Sequence, residues 1–131
     1  AFAMLVALKE IGIVFNQDLE TRLEKIDLLL YKQKGGLRVV LATQVRESEV
    51  LSANFVQFEA NAFTNLKPFF NLLGFYQNPY STTFKASKTL PKFKYQTVSK
   101  DDLGVCYLIY NDYFVISLSY EAMEKILNLL K

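Results

Sequence analysis

Two stretches of this chain alternate strand-forming residues with tight-turn residues, and they restrict the fold more than any other feature of the sequence. In LLLYKQKGGLRVVLATQV, strands predicted at 27–32 and 37–44 flank a glycine pair. In LGVCYLIYNDYFVISL, strands predicted at 103–110 and 113–118 flank an Asn-Asp pair. Glycine, asparagine and aspartate suit such turns because they tolerate a positive φ. The two hairpins therefore predict an antiparallel sheet.

Two short helices are predicted before the first hairpin. Residues 3–11 form an apolar helix that stops at a glycine. A second helix is predicted from Asn16, because Leu19, Leu23 and Ile26 recur at helical spacing.

A long helix is predicted to begin near Ser48, after the first hairpin. Its buried stripe consists of residues spaced by threes and fours, namely Leu51, Phe55, Phe58, Ala62, Leu66, Phe69 and Leu73. Pro68 predicts a break or kink near Lys67, because proline cannot donate the backbone hydrogen bond that a helix interior requires. Gly74 is predicted to end the helix.

The corner between the last strand and the last helix is a place where catalytic serines occur in other folds. Ser119 lies at this corner, but a nucleophile elbow needs glycines beside its serine, and SLSYE has none. We therefore predict that Ser119 caps a helix at 120–130. This helix is predicted to cover the apolar face of the last hairpin that contains Tyr107 and Ile116.

Both hairpins are followed by an acidic residue and a helix, so the chain resembles two hairpin-plus-helix units. Tyr31 and Tyr110 occupy the same place in this faint internal repeat. The pattern predicts a single α+β domain over residues 1–131, with an antiparallel sheet and helices packed mainly on one face. Because the chain begins at an alanine, we expect it to be a fragment or module of a longer protein.

Composition excludes several kinds of site. The 131 residues include no histidine and a single cysteine, Cys106, which excludes a Ser-His-Asp triad, a Cys-His pair and the usual zinc sites. We therefore predict no enzyme, no metal and no cofactor. The net charge of +2 does not by itself indicate a nucleic-acid partner. The apolar run AFAMLVAL is far shorter than the about 20 residues that span a membrane.

The order of elements is similar to that of uncharacterised secreted or membrane-anchored proteins, domain-of-unknown-function proteins of candidate-phylum bacteria. Their ending has a glycine, a tyrosine, a turn, an apolar strand, an acidic residue and a helix. The matching residues here are Gly104, Tyr107, Asn111-Asp112, the segment FVISLS, Glu121 and Met123. The chain departs from that pattern at Leu118 and at Glu47-Ser48. The resemblance implies an extracytoplasmic location, an anchor outside this chain and a non-enzymatic role.

The segment between positions 60 and 100 contains lysines but no acidic residue. The lysines that alternate with aromatic residues are Lys85, Lys88, Lys92 and Lys94. Together they suggest a surface for nucleic acid or another polyanion. The alternative is a hairpin, with strands at 82–87 and 92–98, that turns its lysines to water and its aromatic rings to the core. We favour the hairpin, because the segment lacks arginine and glycine-rich nucleic-acid motifs.

The long helix carries more aromatic residues than one buried face requires. Val56, Phe63 and Phe70 recur at intervals of seven, so they form a second apolar line, about 100° or more from the buried stripe. Such a line is either a surface for a partner or the lining of a site for a hydrophobic ligand such as a lipid.

Our leading interpretation is a non-catalytic protein-interaction or structural domain outside the cytoplasm. Its partner would be another protein or the remainder of its own chain. The second interpretation is a lipid-binding module that uses the aromatic helix. The third is a polyanion-binding module that uses the lysine-rich hairpin.

Overall fold

The computed structural model describes residues 7, 8, 10, 13, 20–48 and 55–130. The elements within these ranges are β1 (Leu23–Gln33), β2 (Gly36–Val45), α1 (Phe55–Leu72), β3 (Lys85–Ala86), β4 (Lys94–Ser99), β5 (Leu103–Tyr110), β6 (Tyr113–Ser117) and α2 (Tyr120–Leu130). Ala7, Leu8 and Glu10 of the predicted first helix are helical. The rest of that helix, with Asn16 and Leu51, lies outside the described residues.

The strands of the described chain form one antiparallel sheet in the order β1-β2-β6-β5-β4-β3. Both predicted hairpins are present, and they meet through β2 and β6, where Ala42 lies opposite Val115. The predicted pairing of the last hairpin is confirmed, because Tyr107 lies opposite Ile116 and Cys106 lies opposite Ser117. The predicted α+β class with an antiparallel sheet is therefore confirmed.

α1 and α2 cover opposite faces of this sheet. Phe58 of α1 packs in one core with Ile116, whereas Met123 of α2 packs in a second core with Val115. The sequence pattern predicted helices mainly on one face and α2 on the Ile116 side, and the structure differs in both respects. Successive strand residues point to opposite faces, and both sets are apolar in β5 and β6. Each face therefore needs a cover of its own.

β1 begins earlier than the sequence predicts and replaces the end of the predicted second helix. Leu23 and Ile26 are strand residues that contact the α1-side core. The pairing of β1 with β2 shifts between Leu23 and Lys25, which leaves one extra residue there. Such a bulge brings Leu23 and Ile26, three residues apart, to the same face of the strand. Because a spacing of three is also typical of a helix, the sequence pattern predicted a helix here.

α1 is an uninterrupted helix although it contains Pro68, so the predicted break near Lys67 is absent. Its end is as predicted. Gly74 has a φ of 88°, and the N–H of Phe75 donates to the carbonyl of Phe70 at 2.9 Å, as in a Schellman motif. No helix in the described ranges has both the length and the apolar character that crossing a membrane requires.

Candidate interaction surface

β1 is a long strand at the edge of the sheet, with β2 as its only neighbour in the described chain. It contains 11 residues, about twice the mean strand length of about 5–6. An edge strand presents unpaired backbone N–H and C=O groups, to which a further strand can bond. Proteins usually shorten, charge or cover such edges, so a long edge is a candidate binding element.

The backbone groups that β1 turns outward can be identified from β2. The carbonyl of Val39 accepts a bond from the N–H of Leu118 at 3.0 Å, so it points to β6 and away from β1. Ladder bonds alternate along a strand, so every second residue of β2 does the same. The β1 residues opposite them therefore turn their N–H and C=O groups outward, and these are Ile26, Leu28, Leu30 and Lys32.

Leucine side chains are exposed along this edge. Leu28 is 42% exposed, Leu29 39%, Leu30 65% and Leu37, on β2, 48%. Leu28 and Leu30 lie on the α1 face, because their partners on β2 belong to the α1-side core, and Leu29 lies on the α2 face. Leu28 and Leu30 thus expose apolar surface side by side on one face, and such surface can mark an interaction site. Leu28, Leu29 and Leu30 are called the β1 leucines below.

The hairpin that carries the β1 leucines is fixed to the rest of the domain by a buried arginine. Arg38 is 4% exposed, and its guanidinium donates to the carbonyls of Asp101 at 2.7 Å and Asp102 at 3.2 Å. Burial lowers the pKa of Arg38, while the negative charges of Asp102 and Asp101 oppose that shift. The arginine thus joins β2 to the β4–β5 turn.

Two further contacts join β1 itself to α2. The hydroxyl of Ser119 donates to the amide oxygen of Gln33 at 2.6 Å, and the hydroxyl of Tyr31 donates to Glu121 at 2.8 Å. The hydrogen bond to Glu121 raises the pKa of Tyr31. The edge is therefore held in place before any partner arrives, which reduces the entropy lost on binding.

The predicted second line on the long helix is not a continuous surface. Val56 is 84% exposed, but Phe63 is partly buried and Phe70 is 0% exposed. The rings of Phe63 and Phe70 lie 5.3 Å apart and both contact Phe75. Phe70 belongs to the core because the chain turns back after Gly74 and brings Phe75 against it. The assignment of Phe70 to an interaction surface was wrong, Phe63 is only partly exposed, and Val56 is the fully exposed residue of the three.

The predicted polyanion residues are all exposed, and these are Lys85, Lys88, Lys92 and Lys94. They do not share one face of the sheet. Lys94 lies opposite Tyr107, whereas Lys85 lies opposite Tyr95, which in turn lies opposite Cys106. Because Cys106 and Tyr107 are neighbours in a strand, Lys85 and Lys94 point to opposite faces. The lysines therefore lie on both faces of the predicted hairpin and do not form one basic face.

The corner between β6 and α2 is a helix cap, as predicted. The N–H of Ala122 donates to the hydroxyl oxygen of Ser119 at 3.0 Å. The carboxylate of Asp102 accepts the N–H groups of Tyr120 at 2.8 Å and Glu121 at 2.9 Å. These bonds satisfy amides that the first turn of a helix leaves free. No local sequence pattern indicates the capping role of Asp102, because its carboxylate acts across 18 residues of chain.

Cys106 is the other residue for which chemistry was considered. It is 2% exposed in the α2-side core, and burial raises the pKa of its thiol well above the ordinary value. Reactive cysteines instead have a lowered pKa and access to solvent. The described residues contain no cluster of three or more histidine, cysteine or acidic residues that could bind a metal ion.

The β1 leucines are the candidate site that the sequence analysis missed. Leu28, Leu29 and Leu30 were predicted as strand residues, but no pattern in the sequence indicated that their strand lies at the edge of the sheet. That place is set by the strand order. The available signal was the run of three leucines in the first strand of the first hairpin, which lies at the edge of the described sheet.

Fold and surface together define an α+β domain with a six-stranded antiparallel sheet, a helix on each face and an uncovered leucine-rich edge in the described chain. No protein-family model, curated protein or solved structure matches this chain.

Proposed function

We propose that this chain is a non-catalytic protein-interaction domain, and that it binds an extended polypeptide segment along the outer edge of β1. The segment would add a strand to the sheet, with its backbone bonded to the outward groups of β1. Its side chains would cover the β1 leucines. Main-chain bonds supply affinity in this mode of recognition, and alternate side chains supply specificity.

The observation that carries the proposal is the exposure of apolar side chains next to free edge groups. Leu30 is 65% exposed at a position whose N–H and C=O point outward. Burial of apolar surface is worth about 25 cal/mol per Å². A strand laid along β1 would gain this energy and backbone bonds together.

On the resemblance alone, we also propose that the domain works outside the cytoplasm, anchored through a segment outside residues 1–131. A signal peptide or membrane helix encoded upstream of this chain would support this location. An upstream fusion to a cytoplasmic domain would contradict it.

The binding proposal is tested by panning a library of random extended peptides against the immobilised domain. We expect enriched peptides to bind the wild type and to lose at least about tenfold in affinity for Leu30→Lys, because an edge lysine opposes strand addition. Val56→Lys is the matched control, since Val56 is 84% exposed and belongs to α1 and not to the edge strand. Peptides that bind both variants as well as the wild type would contradict a β1 site.

A further inference from the structure

We infer that the segment bound by β1 is the β1 strand of a second copy of this chain, antiparallel to the first across a two-fold axis perpendicular to the sheet. The inference rests on the proposed function, because it names the partner of the same edge. The two sheets then continue into each other. A two-fold contact is self-complementary, because each residue of one copy meets a residue that it also meets in return.

The backbone of β1 is compatible with this symmetry. Leu28 and Leu30 turn their N–H and C=O groups outward, while those of Leu29 point to β2. In an antiparallel pair centred on Leu29, Leu28 of one copy lies opposite Leu30 of the other. Both members of that pair offer a free donor and a free acceptor, so the outward groups satisfy one another.

The side chains select this register. With the axis at Leu29, the three consecutive leucines of one copy face the three of the other. An axis at Leu28 sets Leu29 opposite Asp27, and an axis at Leu30 sets Leu28 opposite Lys32. An axis at Asp27 or Lys32 sets like charges face to face, which destabilises strand pairs.

The remaining pairs of this register are also compatible. Asp27 faces Tyr31, and Lys25 faces Gln33, so no two like charges meet. Lys32 faces Ile26, which is already 7% exposed in the monomer and against which the aliphatic part of a lysine can lie. Apolar contact in the centre and polar contact at both ends is the usual arrangement of a protein interface.

The register predicts a specific cross-link. Leu29 faces itself at a position without mutual hydrogen bonds, where Cα atoms are about 4.5 Å apart, within the range of a disulfide. We expect Leu29→Cys to form a covalent dimer under mild oxidation, and a mixture of Leu28→Cys with Leu30→Cys to form a mixed dimer. Leu28→Cys or Leu30→Cys alone should cross-link far less, because neither residue faces itself.

Two controls separate this register from chance encounters. Val56→Cys places a thiol at a site that is 84% exposed on α1 and measures cross-linking by random collision. The wild type measures any cross-linking through Cys106, which is buried. Sedimentation should show a dissociation constant for Leu30→Lys at least about tenfold above that of the wild type and of Val56→Lys.

Equal cross-linking of all cysteine variants, or a wild type that is monomeric at every concentration, overturns the inference. Neither outcome decides the proposed function, because selected peptides would still bind the edge of a monomer. Failure of the peptide selection together with a monomeric wild type overturns both.

Discussion

Tyr107 shows how one side chain joins the sheet to the helix on the α1 face. It is 4% exposed, and its hydroxyl donates a hydrogen bond to the carboxylate of Glu59. Its ring centroid lies 4.9 Å from that of Phe58 and 4.7 Å from that of Phe55. The aromatic residues of α1 therefore surround a polar contact, and their abundance reflects the packing of this core.

The environment of Tyr107 predicts a loss of stability at alkaline pH. Burial, and then the hydrogen bond to Glu59, raises the pKa of Tyr107 above its ordinary value of about 10. Above that pH the unfolded chain loses the phenol proton and the folded chain keeps it, so stability falls as pH rises. Urea unfolding at increasing pH should show a shallower decline for Tyr107→Phe than for the wild type. Tyr76→Phe, at a site 72% exposed, should follow the wild type, and an unchanged decline in Tyr107→Phe would contradict the argument.

At the scale of elements, α2 covers one face of the central strands. Its buried residues contact β2, β5 and β6 in the α2-side core, so the loss of this contact exposes one side of the central strands. The helix and its cap at Ser119 could be predicted from the sequence, because both depend on neighbours within a few residues. The face that the helix covers could not be predicted, because both faces of β5 and β6 are apolar.

Two substitutions in α2 separate its inner and outer sides. Ile126 is 9% exposed in the α2-side core, and Leu129 is 80% exposed. Ile126→Asp buries an unpaired charge and should cost several kcal/mol, out of a total stability of roughly 5–15 kcal/mol. Leu129→Asp should change the free energy of unfolding by less than about 0.5 kcal/mol. Similar melting curves for the two variants would show that α2 does not pack as described.

β1 shows the limit of local reasoning most clearly. Its strand character over residues 27–32 was predicted from composition, and its register follows from the glycine turn. The bulge between Leu23 and Lys25 could not be predicted from the sequence, since it is defined by the pairing of β1 with β2. The exposure of Leu30 could not be predicted either, because it depends on the place of β1 in the strand order.

At the scale of the whole molecule, the strand order sets a gradient of protection from the centre of the sheet to its edges. β6 and β5 have strands on both sides and a helix over each face, so their amides should exchange with solvent most slowly. β1 has one neighbour, and the outward amides of Leu28 and Leu30 bond to no described group. The inward amide of Leu29 belongs to the ladder with β2.

Hydrogen exchange therefore tests the edge of the intact molecule without any substitution. In dilute protein, the outward amides of Leu28 and Leu30 should exchange much faster than that of Leu29, because they lack a backbone acceptor. At higher concentration, or with a saturating selected peptide, these two amides should slow while those of β6 stay unchanged. Only a strand laid along β1 supplies acceptors at alternate residues, whereas side-chain contact alone would leave the alternation intact. Outward amides that exchange equally fast under all three conditions would exclude strand addition at β1.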